Sequence, residues 1–269
     1  FLHSYINPAH EKRALEICRR EMNGAYITAS HEVLPVYREY ERFSTSVVSA
    51  AVGPITAHYL KALQERLKEI GFQGTLYMVQ GGGLVQSVDE SARRAVTLIG
   101  SGPAAAPSGA IRLGQCIGSN NLFSVDMGGT SYDVCLIRDG EIPTTDYNWV
   151  GDERVATKMV DVPSVGGGGS IAWIDSLGLL RVGPQSAGAD PGPACYGKGG
   201  TQPTVTDADL ILGYVPADYF LGGEISLKTD LAEKAIRSVA DPLGIDLPTA
   251  AMTIFTTVNS LMADEMTEI

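Results

Sequence analysis

Phe123-Ser124-Val125-Asp126-Met127-Gly128-Gly129-Thr130-Ser131-Tyr132-Asp133-Val134-Cys135-Leu136-Ile137 reads as two apolar strands joined by an Asp-x-Gly-Gly-Thr turn. Two glycines leave backbone N–H groups without Cβ atoms in the way, and consecutive amides in such a turn make a concave anion site. Thr130 and Ser131 add hydroxyl donors. A carboxylate in an apolar strand is costly without a partner, and here Asp126 and Asp133 flank the turn. Neither holds phosphate directly. Either can hold the magnesium that accompanies it, or orient an attacking water. An ordinary hairpin accounts for the Gly-Gly pair but not for the two acids, so the stretch points to an enzyme that uses a nucleotide.

Working outward, the chain has 269 residues, 44% of them apolar, enough for one large or two modest domains. A net charge of -11 argues against nucleic acid or an anionic membrane as partner. Local amides and a metal ion bind phosphate whatever the global charge. Cys18, Cys116, Cys135 and Cys195 lie far apart with no Cys-x-x-Cys pair, which excludes a zinc ribbon and a disulfide framework and suits a reducing, cytoplasmic setting. No apolar run is long enough to span a membrane, and the charged first residues are unlike a signal peptide. The chain opens on Phe1 and ends inside a helical pattern, so it is expected to be a piece of something longer.

The apolar spacing predicts a surface helix over 8–23, a short strand over 26–30, and a long helix over 44–70 that Pro54 kinks or splits. Strands are expected at 75–79 and 95–99, each followed by a glycine turn into a helix, the second helix over 103–115, where Ser101 and Gly102 make either an anion-facing start or, equally, a plain strand-to-helix turn. A second strand pair is expected around Asp139-Gly140. The run Gly166-Gly167-Gly168-Gly169-Ser170 is expensive in chain entropy, so something approaches its backbone closely; a ligand is the favoured cause over a tight packing contact. Residues 181–209 form a long irregular segment expected to be functional. Helices follow over 229–240, capped by Thr229 and Asp230, and from 249 to the end.

Five blocks in this order resemble the hydantoinase A and 5-oxoprolinase family. They are Ser30-His31-Glu32-Val33-Leu34-Pro35 with Arg38-Glu39-Tyr40-Glu41-Arg42, Ser101-Gly102-Pro103-Ala104-Ala105, the Asp126 to Val134 hairpin, Gly167 to Trp173, and Gly183 to Gly197 with Asp190 inside it. The resemblance implies an α/β, actin-like ATPase (ribonuclease H-like) fold with a mixed sheet and flanking helices. The chain would be a fragment of a two-lobed protein. Residues 1–118 would be a helical and α/β part, and 119–269 the phosphate hairpin with the glycine-rich segments. The family's N-terminal lobe, with its own hairpin, and its C-terminal adenosine loop would lie outside this chain.

The resemblance further implies that ATP with Mg2+ phosphorylates the carbonyl oxygen of a cyclic amide or imide, after which water opens the ring. Gly128, Gly129, Thr130, Ser131, Gly167, Gly168, Gly169 and Ser170 would hold the nucleotide, and Asp126 and Asp133 would manage metal or water. His31, Glu32, Arg38, Ser101, Gly102 and Asp190 would stand around the substrate; for Arg38, Glu39, Glu41 and Arg42 a plain charge network is the favoured reading. A hydantoinase B-like partner subunit and an oligomer are implied as well. A subunit of an ATP-dependent ketone carboxylase uses the same phosphate machinery and stays open, as does a non-catalytic assembly subunit, which the paired carboxylates oppose. His3, His10, His31 and His58 lack zinc-hydrolase spacing, and no Gly-x-x-x-x-Gly-Lys-Ser/Thr loop occurs. Cys195, without an evident base, reads as structural rather than nucleophilic.

Overall fold

The structure is a computed structural model that describes residues 1–269. Helix α1 (Ala9–Glu21) starts behind Pro8 with Glu11 in its first turn and Arg19 and Arg20 in its last, the order its dipole favours. The strand expected over 26–30 does not form. The Ala29 carbonyl accepts the Glu32 and Val33 amides instead, turning the chain into the single turn α2 (Ser30–Val33). Helix α3 (Glu39–Glu69) opens five residues before Ser44 and is not split at Pro54, since a helix of 31 residues tolerates one lost ladder bond.

Strand β1 (Tyr77–Val79) pairs antiparallel with β2 (Val85–Ser87), so the first glycine run turns a hairpin rather than leading to a helix. Ser87 then caps α4 (Val88–Arg93) by accepting the Glu90 amide. Residues 95–98 form a 3-10 turn where a strand was expected: Ala95 and Val96 are buried, and a short apolar run does not by itself separate strand from buried helix. Helix α5 (Ser101–Ile117) is bracketed by left-handed Gly100 and Gly118, a conformation that glycine alone adopts without strain.

The hairpin that decided the reading is present as β3 (Leu122–Met127) and β4 (Ser131–Ile137). The Asp139-Gly140 turn carries only the isolated bridge between Arg138 and Glu141, not a strand pair. Beyond it come β5 (Thr144–Thr145), β6 (Asn148–Val150), β7 (Glu153–Val155) and β8 (Met159–Val160). Strands β9 (Ser164–Gly166), β10 (Ser170–Ile174) and β11 (Leu180–Ser186) follow, so regular structure reaches into the segment expected to be irregular. The rest is helical: α6 (Val205–Ile211), α7 (Thr229–Leu243) and α8 (Leu247–Glu268). Neither Thr229 nor Asp230 caps α7, whose N-cap is Lys228, whereas Asp246 caps α8 by accepting the Thr249 amide.

The fold is mixed α/β. Its strands form five small sheets, β1-β2, β3-β4-β9, β5-β8, β6-β7 and β10-β11, in place of one continuous mixed sheet. Two compact units share the chain, Phe1–Leu122 with Leu136–Asp161, and Phe123–Cys135 with Val162–Ile269. The first unit has a core of Val33, Leu34, Val48, Val96, Val155 and Met159. In the second, Tyr132 and Val134 of β4 pack with Ala172, Val182, Val205 and one face each of α7 and α8, among them Ile236, Ile254 and Val258. Its edge strand β3 leaves Phe123, Val125 and Met127 about half exposed (47%, 48% and 50%). No helix is long and apolar enough to cross a membrane.

Candidate functional site

The Gly128–Thr130 turn is open. A Cβ on Gly129 would meet nothing within 4 Å, and one on Gly128 only the Ser131 carbonyl oxygen at 4.0 Å. The Gly128 amide closes the hairpin onto the Ser131 carbonyl at 2.9 Å, while the Gly129 and Thr130 amides have no backbone acceptor. Packing therefore does not account for these two glycines.

The opposite holds for the second glycine run, and the expected cause is corrected. A Cβ on Gly167 would stand 2.5 Å from the Gly128 carbonyl oxygen, and one on Gly169 2.5 Å from that of Gly129. Gly167 donates its amide to the Thr130 carbonyl at 3.1 Å, Gly168 to Gly128 at 3.1 Å, Gly169 to Gly129, and Ser170 to Gly167 at 3.0 Å. The first three of these amides are spent on the turn itself and the fourth on the glycine run. The glycine run is a tight packing contact that fixes the turn from behind, not a second row of free anion donors. Thr206 extends the contact, giving both its amide and its hydroxyl to the Gly168 carbonyl at 2.8 Å.

Asp133 is half-buried and held from both sides. Ser131 donates to its Oδ2 at 2.9 Å and Ser164, across the β4-β9 pair, to its Oδ1 at 2.6 Å. Two hydroxyl donors, one on each oxygen, fix its plane. Asp126 is exposed and its carboxylate makes no hydrogen bond within the chain, so the cost expected of an acid in an apolar strand does not arise for it. Beside the turn lies a cavity of about 400 Å³, lined by Thr130, Ser131, β9, Ser170, part of β11, and Val258 and Leu261 of α8. Asp190 is exposed in the loop after β11 and is not among the residues lining it.

Sequence reasoning missed Ser164, Thr206 and Asp207. Thr204 and Asp207 form a reciprocal capping box at the start of α6, and a Thr-x-x-Asp before an apolar run is a readable signal for it. Asp207 is fully buried and also accepts the Ala194 and Cys195 amides at 3.3 and 2.8 Å, pinning the loop before α6. Burial pushes the Cys195 thiol up, and the Asp207 carboxylate beside it pushes it further, so the thiol is held protonated and inert. Asp209, on the same helix, has a buried, unpartnered Oδ1, and burial pushes its carboxyl up to about 6.

His31, Glu32, Arg38, Ser101 and Gly102 belong to the first unit. His31 is tied to buried Glu11, which accepts its Nδ1 at 2.6 Å, its amide at 2.8 Å and the Ser30 hydroxyl at 2.7 Å. Burial alone would push the Glu11 carboxyl up, but hydrogen bonds from the amino terminus, Ser30 and His31 outweigh it and hold it at about 2. Glu32 pairs with Arg19 at 3.7 Å. Arg38 and Arg154 both face Glu41, at 3.8 and 3.6 Å, the charge network expected there. Arg42 is buried, its guanidinium over the Tyr5 and Phe43 rings and bonded to backbone carbonyls of Phe1 and Val36.

The open turn, with two uncommitted amides and no steric barrier, fits the phosphates of a nucleotide. No group of three His, Cys, Asp or Glu side chains is placed to hold a metal ion. Magnesium, which keeps several waters and shares phosphate oxygens, needs only one or two carboxylates, and Asp126 and Asp133 are of the right kind.

Comparison with known proteins gives this geometry a context. The chain is 44% identical over 268 residues to caprolactamase subunit alpha of Pseudomonas jessenii, covering 97% of this chain and 38% of the relative. It is 40% identical over 271 residues to the acetophenone carboxylase gamma subunit of Aromatoleum aromaticum, covering 97% and 37%. A nucleotide-free structure of acetone carboxylase, an enzyme of ATP-dependent acetone carboxylation, superposes with a TM-score of 0.86 at 31% identity, over 98% of this chain and 38% of that one. The chain thus spans about two-fifths of the length of these relatives. The hydantoinase/oxoprolinase family profile matches residues 42–269, most of both units and the whole turn with its glycine support, and the chain belongs to that family.

Proposed function

We propose that this chain is the phosphate-handling part of an ATP-dependent enzyme that opens a cyclic amide or imide, built on an actin-like ATPase fold. The observation that carries the reading is the turn at Gly128–Thr130, open on one side and braced on the other by Gly167–Ser170. Bound ATP with Mg2+ would supply the phosphoryl group that makes the carbonyl carbon of an unreactive amide open to water. The Gly129 and Thr130 amides and the Thr130 hydroxyl would bind phosphate oxygens. Asp133, its plane fixed by Ser131 and Ser164, would orient the metal or a water, and exposed Asp126 would take a metal on the strand leading into the turn. Gly167–Gly169 serve by holding the turn still, a preorganisation that spares reorganisation when charge develops. The relatives named as subunits support a partner subunit for this chain; we take that partner to be of the hydantoinase B type and the complex to be cytoplasmic.

A second reading, a subunit of an ATP-dependent ketone carboxylase, is favoured by the match to acetone carboxylase and by the acetophenone carboxylase relative. Both readings are tested by measuring ADP release with lactams, hydantoin or 5-oxoproline, and again with ketone plus bicarbonate. Asp126→Asn and Asp133→Asn are expected to lower turnover at least tenfold; unchanged turnover in both would remove the phosphate reading.

A further inference from the structure

The cavity of about 400 Å³ beside the turn is within the size range of small-molecule sites, and its wall carries no charged side chain. Val165, Val182, Pro184, Val258 and Leu261 make the apolar part. The polar part consists of hydroxyls from Thr130, Ser131, Ser164 and Ser170. Two of these are committed, because Ser131 and Ser164 donate to Asp133. Ser170 is different. Its residue is fully buried, its Oγ has no hydrogen-bond partner in the chain, and a side chain at Gly166 would stand 2.1 Å from that oxygen. Only a glycine at position 166 leaves this hydroxyl its place, and it stays unsatisfied within the chain, an arrangement that costs stability unless a ligand answers it.

We infer that this cavity binds the uncharged organic substrate, a neutral carbonyl compound on an apolar skeleton, with Ser170 as the hydroxyl that donates to its carbonyl oxygen. The inference rests on the proposed function and narrows its substrate class. An anionic substrate such as a ring carboxylate would be stripped of water here with no cation to answer it, which the apolar wall penalises. A neutral lactam or ketone meets no such cost, and its apolar body is rewarded by the five aliphatic side chains. Lactam and ketone share this chemistry, so the cavity selects against charge rather than between those two.

The test is equilibrium dialysis of the purified protein, without nucleotide, against caprolactam, acetophenone and 5-oxoproline. Caprolactam or acetophenone is expected to bind and 5-oxoproline not. Ser170→Ala, which removes one hydroxyl from a buried site, is expected to weaken the bound neutral probe about tenfold, and Leu261→Trp, at a partly exposed position of α8, to abolish binding by filling the cavity. Unfolding temperatures of both variants within a few degrees of the parent show that they fold. Failure of all three probes to bind, equal binding of 5-oxoproline, or neutral binding that survives both substitutions would overturn the inference. Because no nucleotide is present, such a result leaves the phosphate reading standing, and loss of ATP turnover in Asp133→Asn does not bear on it.

Discussion

Ser164 and Gly129 separate what a residue does for the fold from what it does for the site. Ser164 is exposed and its hydroxyl touches only Asp133. Ser164→Ala is therefore expected to lower ATP turnover by about three- to tenfold through a less rigidly held carboxylate, with an unfolding temperature changed by no more than a few degrees. Gly129→Ala adds a methyl group to open space, so a loss of turnover with an unaltered melting curve would locate phosphate at the turn; unaltered turnover would remove it. Asp209 gives a pH dependence of definite sign. Its carboxyl sits at about 6 in the fold against 3.8 ordinarily, so the folded state prefers the neutral form. Stability from this group is greatest below pH 4 and falls as the pH rises to about 6, by up to about 3 kcal/mol. Asp209→Asn is expected to match the parent near pH 4 and to exceed it by about 1–3 kcal/mol at pH 8 in urea unfolding.

Among the elements, those whose signals are local were legible in the sequence: the β3-β4 hairpin, α1, and α5 behind Gly100. What escaped was decided by tertiary contact. The run 95–99 has strand-like residues yet coils because Ala95 and Val96 are needed in a core, and 26–30 finds no partner strand. The glycine run was recognised as a close approach, but its neighbour is the Gly128–Thr130 backbone, a contact between segments some forty residues apart that no local pattern encodes. Of the candidate site residues, Asp133, the turn and the glycine run come together in one unit, whereas Ser164 carries no motif and gave no signal. The buried cap at α6 is the element on which the preceding loop depends. Asp207→Ala leaves the Cys195 and Thr204 amides unanswered and is expected to cost about 2–4 kcal/mol, read as a lower urea midpoint and an exposed, reactive Cys195 thiol.

At the scale of the whole molecule, two units with separate cores share a chain that crosses between them three times. Ile254 is fully buried in the second core, so Ile254→Ala is expected to cost about 2–4 kcal/mol and to speed hydrogen exchange foremost in residues 162–269. Equal acceleration throughout the first unit would show a single cooperative block instead. The half-exposed apolar face of edge strand β3 is a template for unwanted pairing, which calls for low protein concentrations in all of these measurements. One further feature makes them easier. The chain has two tryptophans, and the indole Nε1 of Trp173 donates at 2.7 Å to the carbonyl of Gly183, which lines the cavity, while Trp149 lies in the other unit. Occupancy there will be visible as a change in intrinsic fluorescence: the site comes with its own optical reporter, and Trp149→Phe isolates its signal.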